Sequence, residues 1–293
     1  MSKTELFLSL AEIDASDEQA VLAALRSGWV APAGPQLEAF EKAICQRTGF
    51  AHAVGLSSGT AALHLGLRVA GVKMGDEVFC STLTFIASAN PILYLGAKPV
   101  FLDSDTQSWN MDPILLAEAI EQRRAKNRPM PKALVITHLY GQAADMDPIA
   151  QLCSDNGIVL IEDIAEALGT LYKGRHVGHH GVAAALSFNG NKIITTSGGG
   201  MLVSDNEERI AKVRFWATQA RDRARHYQHS ELGYNYRMSN IVAGIGRGQL
   251  KVLDQRVKKK KYIFEFYMRE LGGLEDIDFM PINEWNEPNY WLS

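Results

Sequence analysis

Cysteine is scarce in this sequence. Cys45, Cys80 and Cys153 are the only three, they stand far apart, and no two form a CxxC. That argues against a disulfide framework and a cysteine zinc site, and it reads as reduced thiols in a cytoplasmic protein. An excess of one charge is also lacking. Lys and Arg total 30 against 33 Asp and Glu, for a formal net charge of -3, so nothing in the balance calls for nucleic acid. No apolar run is long enough to span a bilayer. The start, Met1-Ser2-Lys3-Thr4-Glu5-Leu6-Phe7, has no long apolar stretch and no small-residue cleavage site, so no signal peptide is expected. Repeats and low-complexity tracts are missing too. So are common functional signatures. No GxGxxG opens a βαβ unit, and neither GxxxxGK[ST] nor HExxH occurs. His179-His180 has no spaced acid or cysteine partners and reads as a loop rather than a metal site.

What is present suits an ordinary globular chain. Hydrophobic residues make up 46% and charged residues 22% of 293 positions, enough for a sizeable core. The length allows one large domain, or one plus part of a second. Apolar spacing predicts helices over 16–27 and 37–48. From there the pattern alternates. Strands are expected at 51–56, 77–80, 99–103, 133–138, 159–163, 185–188 and 200–203. Helices are expected at 60–70, 86–95, 113–124 and 148–156. Leu134-Val135-Ile136 and Ile158-Val159-Leu160-Ile161 are apolar throughout, as strands buried on both faces should be. The whole predicts an α/β fold, a mostly parallel sheet flanked by helices. Helices then follow at 207–221 and 240–270, with Gly244, Gly246 and Gly248 weakening the start of the second. The basic run 256–261 reads as a solvated helix face.

Three short segments carry chemistry. Ser187-Phe188-Asn189-Gly190-Asn191-Lys192 puts one lysine on a turn after a strand. Alone it could be a surface lysine. Ile161-Glu162-Asp163 ends an apolar strand in acid, at the strand end where α/β sheets collect ligands. Asp163 could be a helix cap, or a buried acid that needs a cation such as a pyridinium nitrogen. Ser57-Ser58-Gly59-Thr60-Ala61-Ala62 joins a strand to a helix. It is an ordinary N-cap or a phosphate cup of free amides and hydroxyls. Together they make a set for pyridoxal 5'-phosphate (PLP): a cup, a strand-end acid, and a lysine able to form a Schiff base. Such a lysine is activated by partial desolvation and a nearby positive charge.

At these residues the sequence resembles the DegT/DnrJ/EryC1/StrS family of PLP-dependent sugar aminotransferases, from about residue 8 onward. Gly28-Trp29, Ser58-Gly59-Thr60-Ala61-Ala62, Thr84-Phe85-Ile86-Ala87, Ile161-Glu162-Asp163, Ser187-Phe188 with Lys192, Gly198-Gly199-Gly200 and Gly233-Tyr234-Asn235-Tyr236-Arg237 carry the likeness. Leu139-Tyr140-Gly141-Gln142 and Tyr227-Gln228-His229-Ser230-Glu231 point to the branch that makes UDP-linked 4-amino sugars for exopolysaccharide or protein glycosylation. The resemblance implies a fold type I PLP aminotransferase. Residues 1–250 would form the large PLP-binding domain, and 251–293 the start of a small C-terminal domain cut short. It implies that Lys192 is catalytic and carries the cofactor, and that Asp163 pairs with the pyridinium. Gly59, Thr60, Ala61 and Ser187 would hold the phosphate, with Phe85 stacked on the ring. Glu166 would lie near the ring hydroxyl, where many relatives carry Gln or His. Asn235 would reach the neighbouring subunit's phosphate in a homodimer with shared sites, Tyr234 and Arg237 shaping that segment. Trp29, His138 and Tyr227 are candidates for the substrate side or for packing. The implied reaction moves an amino group from glutamate to the 4-keto carbon of a UDP-linked 4-keto-6-deoxy sugar. The alternative is a truncated, PLP-binding dimeric remnant that is inactive or regulatory. A dehydratase of the same family is disfavoured, because relatives of that kind tend to replace the lysine with His.

Overall fold

The computed structural model describes residues 8–293. α1 (Ala15–Arg26) begins on Asp14, whose carboxylate accepts the amides of Ser16 and Asp17. α2 (Pro35–Thr48) begins with proline, whose missing N–H is no loss in a first turn. Strands and helices then alternate: β1 (His52–Leu56), α3 (Gly59–Val69), β2 (Glu77–Ser81), α4 (Asn90–Tyr94), β3 (Lys98–Leu102), α5 (Pro113–Ala125), β4 (Ala133–Thr137), α6 (Met146–Asp155) and β5 (Val159–Asp163). The short β6 (Leu171–Tyr172) and β7 (Arg175–His176) lead to β8 (Ala183–Ser187) and β9 (Gly200–Ser204). α7 (Glu207–Ala217), α8 (Asn240–Lys251), α9 (Leu253–Leu271) and β10 (Asn286–Glu287) complete the order.

The main sheet has seven strands in the order β1-β9-β8-β5-β4-β2-β3. β9 runs against both its neighbours, and every other pairing is parallel. Successive side chains feed opposite faces. Leu134, Ile136, Leu186, Met201 and Val203 enter one core, with α2, α5, α6 and α8. Ala133, Val135, Ala185 and Leu202 enter the other, with α3, α4 and α7. Both faces are therefore covered, which is why these strands show no polar alternation. The expected mostly parallel α/β sheet is the observed one.

Three expected elements differ. The 86–95 helix is a 3₁₀ turn, Ile86–Ser88, followed by the short α4. Pro91 supplies no N–H, and Ser88 is drawn inward to a carboxylate described below. The 240–270 helix is two helices, broken at Val252, whose ψ of 5° leaves the helical range. The 207–221 helix stops at Ala217, where Tyr234 and Tyr236 donate their amides to Trp216 and Ala217 as the chain returns. In the run 256–261, Arg256 donates to the Ile193 and Glu12 carbonyls, and Lys259 pairs with Glu12 at 3.4 Å.

The topology sets one functional end. Parallel strands β1, β5 and β8 finish there, α3 starts there, and the antiparallel β9 departs from it. β10 pairs with β6 and folds the segment after α9 back over this end. Asn289 secures it, donating to the carbonyls of Glu166 (2.8 Å) and Leu168 (3.0 Å). No helix among the described residues is long and apolar enough to cross a membrane.

Candidate active site

A pocket of about 410 Å3 opens at this end. Its most buried charged residue is Asp163, at the last position of β5 and only 5% exposed. Oδ2 accepts from the buried Ser88 hydroxyl at 2.7 Å, and Oδ1 accepts the Ala165 amide at 3.0 Å. Thr84 and Thr137 continue the hydroxyl chain behind Ser88, at 2.7 and 3.3 Å from its Oγ. All of these donors are neutral. Among the described residues no cation pairs with this carboxylate, an unfavourable state for a buried ion. The helix-cap reading captures one local contact only, to Ala165.

The wall beside it is built on close backbone approach. Ser58 caps α3 through its side chain to the Ala61 amide at 3.0 Å. The amides of Gly59 and Thr60 are thus left as first-turn donors facing the pocket. A β-carbon on Gly59 would stand 2.9 Å from Ser187 Cβ, and one on Gly200 would stand 2.3 Å from the Ser58 carbonyl carbon. Glycine at both places lets α3, β8 and β9 converge into a cup with the Thr60 and Ser187 side chains on its rim. Gly59→Ala is expected to push Ser187 aside at a cost of about 1–3 kcal/mol. PLP should then bind roughly tenfold or more weakly, as measured by fluorescence titration.

Lys192 enters from the loop after β8, its amide closing a turn on Asn189. Its ammonium lies 3.3 Å from Glu166 Oε1 and 4.0 Å from the centre of the Trp291 ring. Arg256, Lys259 and Lys260 line a second pocket together with Lys192, so the expected nearby positive charge has candidates there. The charge hydrogen-bonded to the ammonium is the Glu166 carboxylate, and the aromatic face adds a cation–π contact. Glu166 is 7% exposed and accepts the Tyr140 amide through Oε2 at 2.7 Å. Burial pushes its carboxyl above the usual carboxylate range, against the opposing pull of Lys192.

Gly59, Thr60, Phe85, Asp163, Glu166, Ser187 and Lys192 therefore line one pocket. Phe85 is 66% exposed at its mouth. Two other sequence-named residues do not line it. Ala61 is buried, and its amide already serves Ser58. Asn235 is exposed outside the pocket, bridged to Thr218 and bonded to Gln219. Arg237 is held by Glu41 at 2.8 Å and the Gly55 carbonyl at 2.9 Å, which pins the segment carrying Asn235 against β1.

Of the substrate-side candidates, Trp29 and Tyr227 are exposed away from the pocket lining. His138 is fully buried. Its Nδ1 accepts the Ala144 amide, so its proton is on Nε2, which donates to Glu162 at 3.0 Å. The other donors to Glu162 are the amides of Gly178, His180 and Gly181, at 2.7, 2.7 and 2.6 Å. This carboxylate pins the 178–181 loop under β5, directly behind Asp163. Glu162→Gln turns an amide NH2 toward donors that need an acceptor. The expected loss is about 3–5 kcal/mol, a fall of about 5–8 °C in melting temperature, read by calorimetry.

Sequence reasoning missed Trp291 and Ser88. Trp291 is 99 positions from Lys192 in the chain, and no local pattern links them. Ser88 lay within the Thr84-Phe85-Ile86-Ala87 neighbourhood, but only its inward turn reveals its contact.

The profile of the DegT/DnrJ/EryC1/StrS aminotransferase family matches residues 11–293. The chain belongs to this family. It is 50% identical over 289 residues to EpsN of Bacillus subtilis, named for pyridoxal phosphate-dependent aminotransfer, covering 99% of this chain and 74% of that one. It is 39% identical to the GDP-perosamine synthase of Caulobacter vibrioides, covering 89% of this chain and 69% of that one. Among solved structures, the sugar aminotransferase Spr1654 of Streptococcus pneumoniae in its PLP form superposes with a TM-score of 0.90. The identity is 27%, over 98% of this chain and 76% of that chain. This family member is thus a PLP-dependent aminotransferase of fold type I, with PLP as its cofactor. The residues present fit that group: a buried carboxylate whose described partners are neutral, a cup whose close backbone approach requires glycine at 59 and 200, and a lysine in the same pocket.

Proposed function

We propose that this protein transfers an amino group from glutamate to the 4-keto carbon of a UDP-linked 4-keto-6-deoxy sugar. It would act in the cytoplasm as a homodimer, in the building of a polysaccharide or glycan. The observation that carries the cofactor's placement is Asp163, a buried carboxylate whose partners are all neutral and whose open side faces the pocket. A pyridinium nitrogen there would gain a full ion pair in low dielectric. PLP supplies an aldehyde that takes up an amine and a ring that stores the electrons a substrate bond releases. Lys192 would hold the cofactor through its side-chain amine, and that amine would move the proton at the reacting carbon. The Gly59 and Thr60 amides, with the Thr60 and Ser187 hydroxyls, orient the phosphate, and Ala61 contributes by anchoring the cap. Phe85 covers the ring, and its exposure leaves a face free for that contact. Glu166 sits on the ring-hydroxyl side.

Asn235 lies outside its own pocket, which supports a role at the neighbouring subunit's phosphate. Residues 251–293 would belong to a smaller domain flanking the substrate, and Trp291 reaching Lys192 supports a place for this segment beside the site. The nucleotide has a second candidate. A relative named as a GDP-perosamine synthase favours a GDP-linked sugar.

Two assays test the reading. Borohydride reduction of the PLP-loaded chain, followed by peptide mapping, is expected to place a phosphopyridoxyl group on Lys192. Folded protein with no adduct at any lysine would overturn the cofactor assignment. Release of 2-oxoglutarate from glutamate is then expected, followed by amination of the UDP-linked 4-keto-6-deoxy sugar in preference to its GDP-linked counterpart. The reverse preference selects the GDP reading. An adduct without 2-oxoglutarate selects the non-catalytic, regulatory one.

A further inference from the structure

A lysine must lose a proton before its nitrogen can attack an aldehyde. Among the described residues, the one acceptor hydrogen-bonded to Lys192 Nζ is Glu166 Oε1, at 3.3 Å. The ring of Trp291 lies 4.0 Å from the same nitrogen and offers no comparable lone pair. Trp291 is itself fixed, its Nε1 donating to the Asn191 carbonyl at 2.7 Å. The two side chains are nearly out of water, Lys192 at 10% and Glu166 at 8% exposure. Glu166 cannot swing away freely, because Oε2 holds the Tyr140 amide at 2.7 Å. A buried ion pair must be paid for by desolvating two charges, whereas the neutral pair has no such cost.

We propose that Glu166 is a catalytic residue, the acceptor of the proton that Lys192 gives up to become a nucleophile. One N–H bond of the ammonium breaks and one O–H bond forms on Oε1. The charges +1 and −1 become two neutral groups, so no proton leaves the pocket and no solvent base takes part. The reverse transfer restores the ammonium. Burial of Glu166 raises its carboxyl, the direction this step needs. The groups facing it are few. Asp163, from the end of β5, also pushes the carboxyl up, and Lys192 pulls it down. The turn after β4 presents only the Tyr140 amide, and the segment after β10 presents the uncharged Trp291 and Asn289. This rests on Lys192 being the Schiff-base lysine.

The test labels the full chain, freed of PLP, with short pulses of acetic anhydride, and follows Lys192 by mass spectrometry. Lys259, whose side chain is 65% exposed, is the internal reference. The ion pair and the neutral pair hold the same number of protons, so their ratio does not change with pH. Lys192 labelling in the native protein is therefore expected to stay nearly flat between about pH 6 and 8, while Lys259 climbs about tenfold per unit. In Glu166→Gln, which keeps the volume but cannot take the proton, Lys192 should climb like Lys259. Native Lys192 that climbs in parallel with Lys259, or that goes unlabelled at every pH, overturns the proposal. A flat profile shared by the native protein and Glu166→Gln overturns it too. Thermal melting checks that the variant is folded. Borohydride trapping of PLP on the native chain is a separate readout: absence of an adduct rejects the cofactor anchor and leaves the pH profile to be judged on its own.

Discussion

Lys192→Ala is expected to fold, to hold PLP without a covalent bond, and to lose roughly 10²–10⁴-fold or more in turnover. The reason lies in where the side chain ends. Nζ reaches Glu166 inside the pocket, and among the described residues no other lysine lines it. The alanine variant also leaves Glu166 buried without its cation. A carboxyl already raised by burial then takes up a proton and remains neutral, so the fold should survive. Steady-state kinetics measure the loss. Borohydride should yield no adduct anywhere on the variant, and an adduct at a second lysine with activity retained would contradict the assignment.

Acid should unfold the protein well before its carboxylates are half protonated in bulk. His64 and His176 are both pushed down to about 4, in each case first by burial. His176 is locked as a neutral ring. Its Nε2 accepts the Gly169 amide at 2.9 Å while Nδ1 donates to the Val177 carbonyl. His64 sits among Tyr94, Tyr234 and Tyr236, with Arg68 adding to the downward push. An unfolded histidine takes up its proton near the ordinary value of 6.5, and these two cannot while folded. Their contribution is whole above 6.5 and is lost as pH falls toward 4, because the unfolded chain binds the extra protons. Each imidazole costs about 1.4 kcal/mol per pH unit in that window, about 6 kcal/mol for the pair across it. Glu162 extends the loss. Burial would raise it, but His138 and the Gly181 amide outweigh burial and hold it below its ordinary 4.5, so its share disappears at still lower pH. Denaturant melts at a series of pH values should show a steep fall between 6.5 and about 4 in the native protein, and a shallower fall over that window in His64→Phe and in His176→Gln. An unchanged slope in both variants would refute the assignment.

Where sequence and structure part company, the cause is distance along the chain. Ser58, Gly59 and Thr60 could be read because a strand-to-helix turn and its first amides are set by neighbouring residues. Asp163 could be read as a buried acid because an apolar strand delivers it to the end where parallel strands finish. The 86–95 segment departs from a single helix because Pro91 and the bond from Ser88 to a carboxylate 75 positions away override its apolar spacing. For His138 the sequence leaves a substrate contact and packing both open. Only the packed structure shows it fully buried against Glu162, 24 positions on.

The sequence by itself determined the alternation of strands and helices, the double burial of the sheet, and the family to which the chain belongs. Periodicity and short motifs record interactions between residues close in the chain. The tertiary structure alone decided that Trp291 covers Lys192, that Glu166 is its hydrogen-bond partner, and that Ser88 and Glu162 hold the acid and the loop behind it. Those contacts arise when β10 and the crossovers bring distant segments together. Whether a buried charge meets a cation, an amide or a ring depends on that closure, which no local pattern encodes.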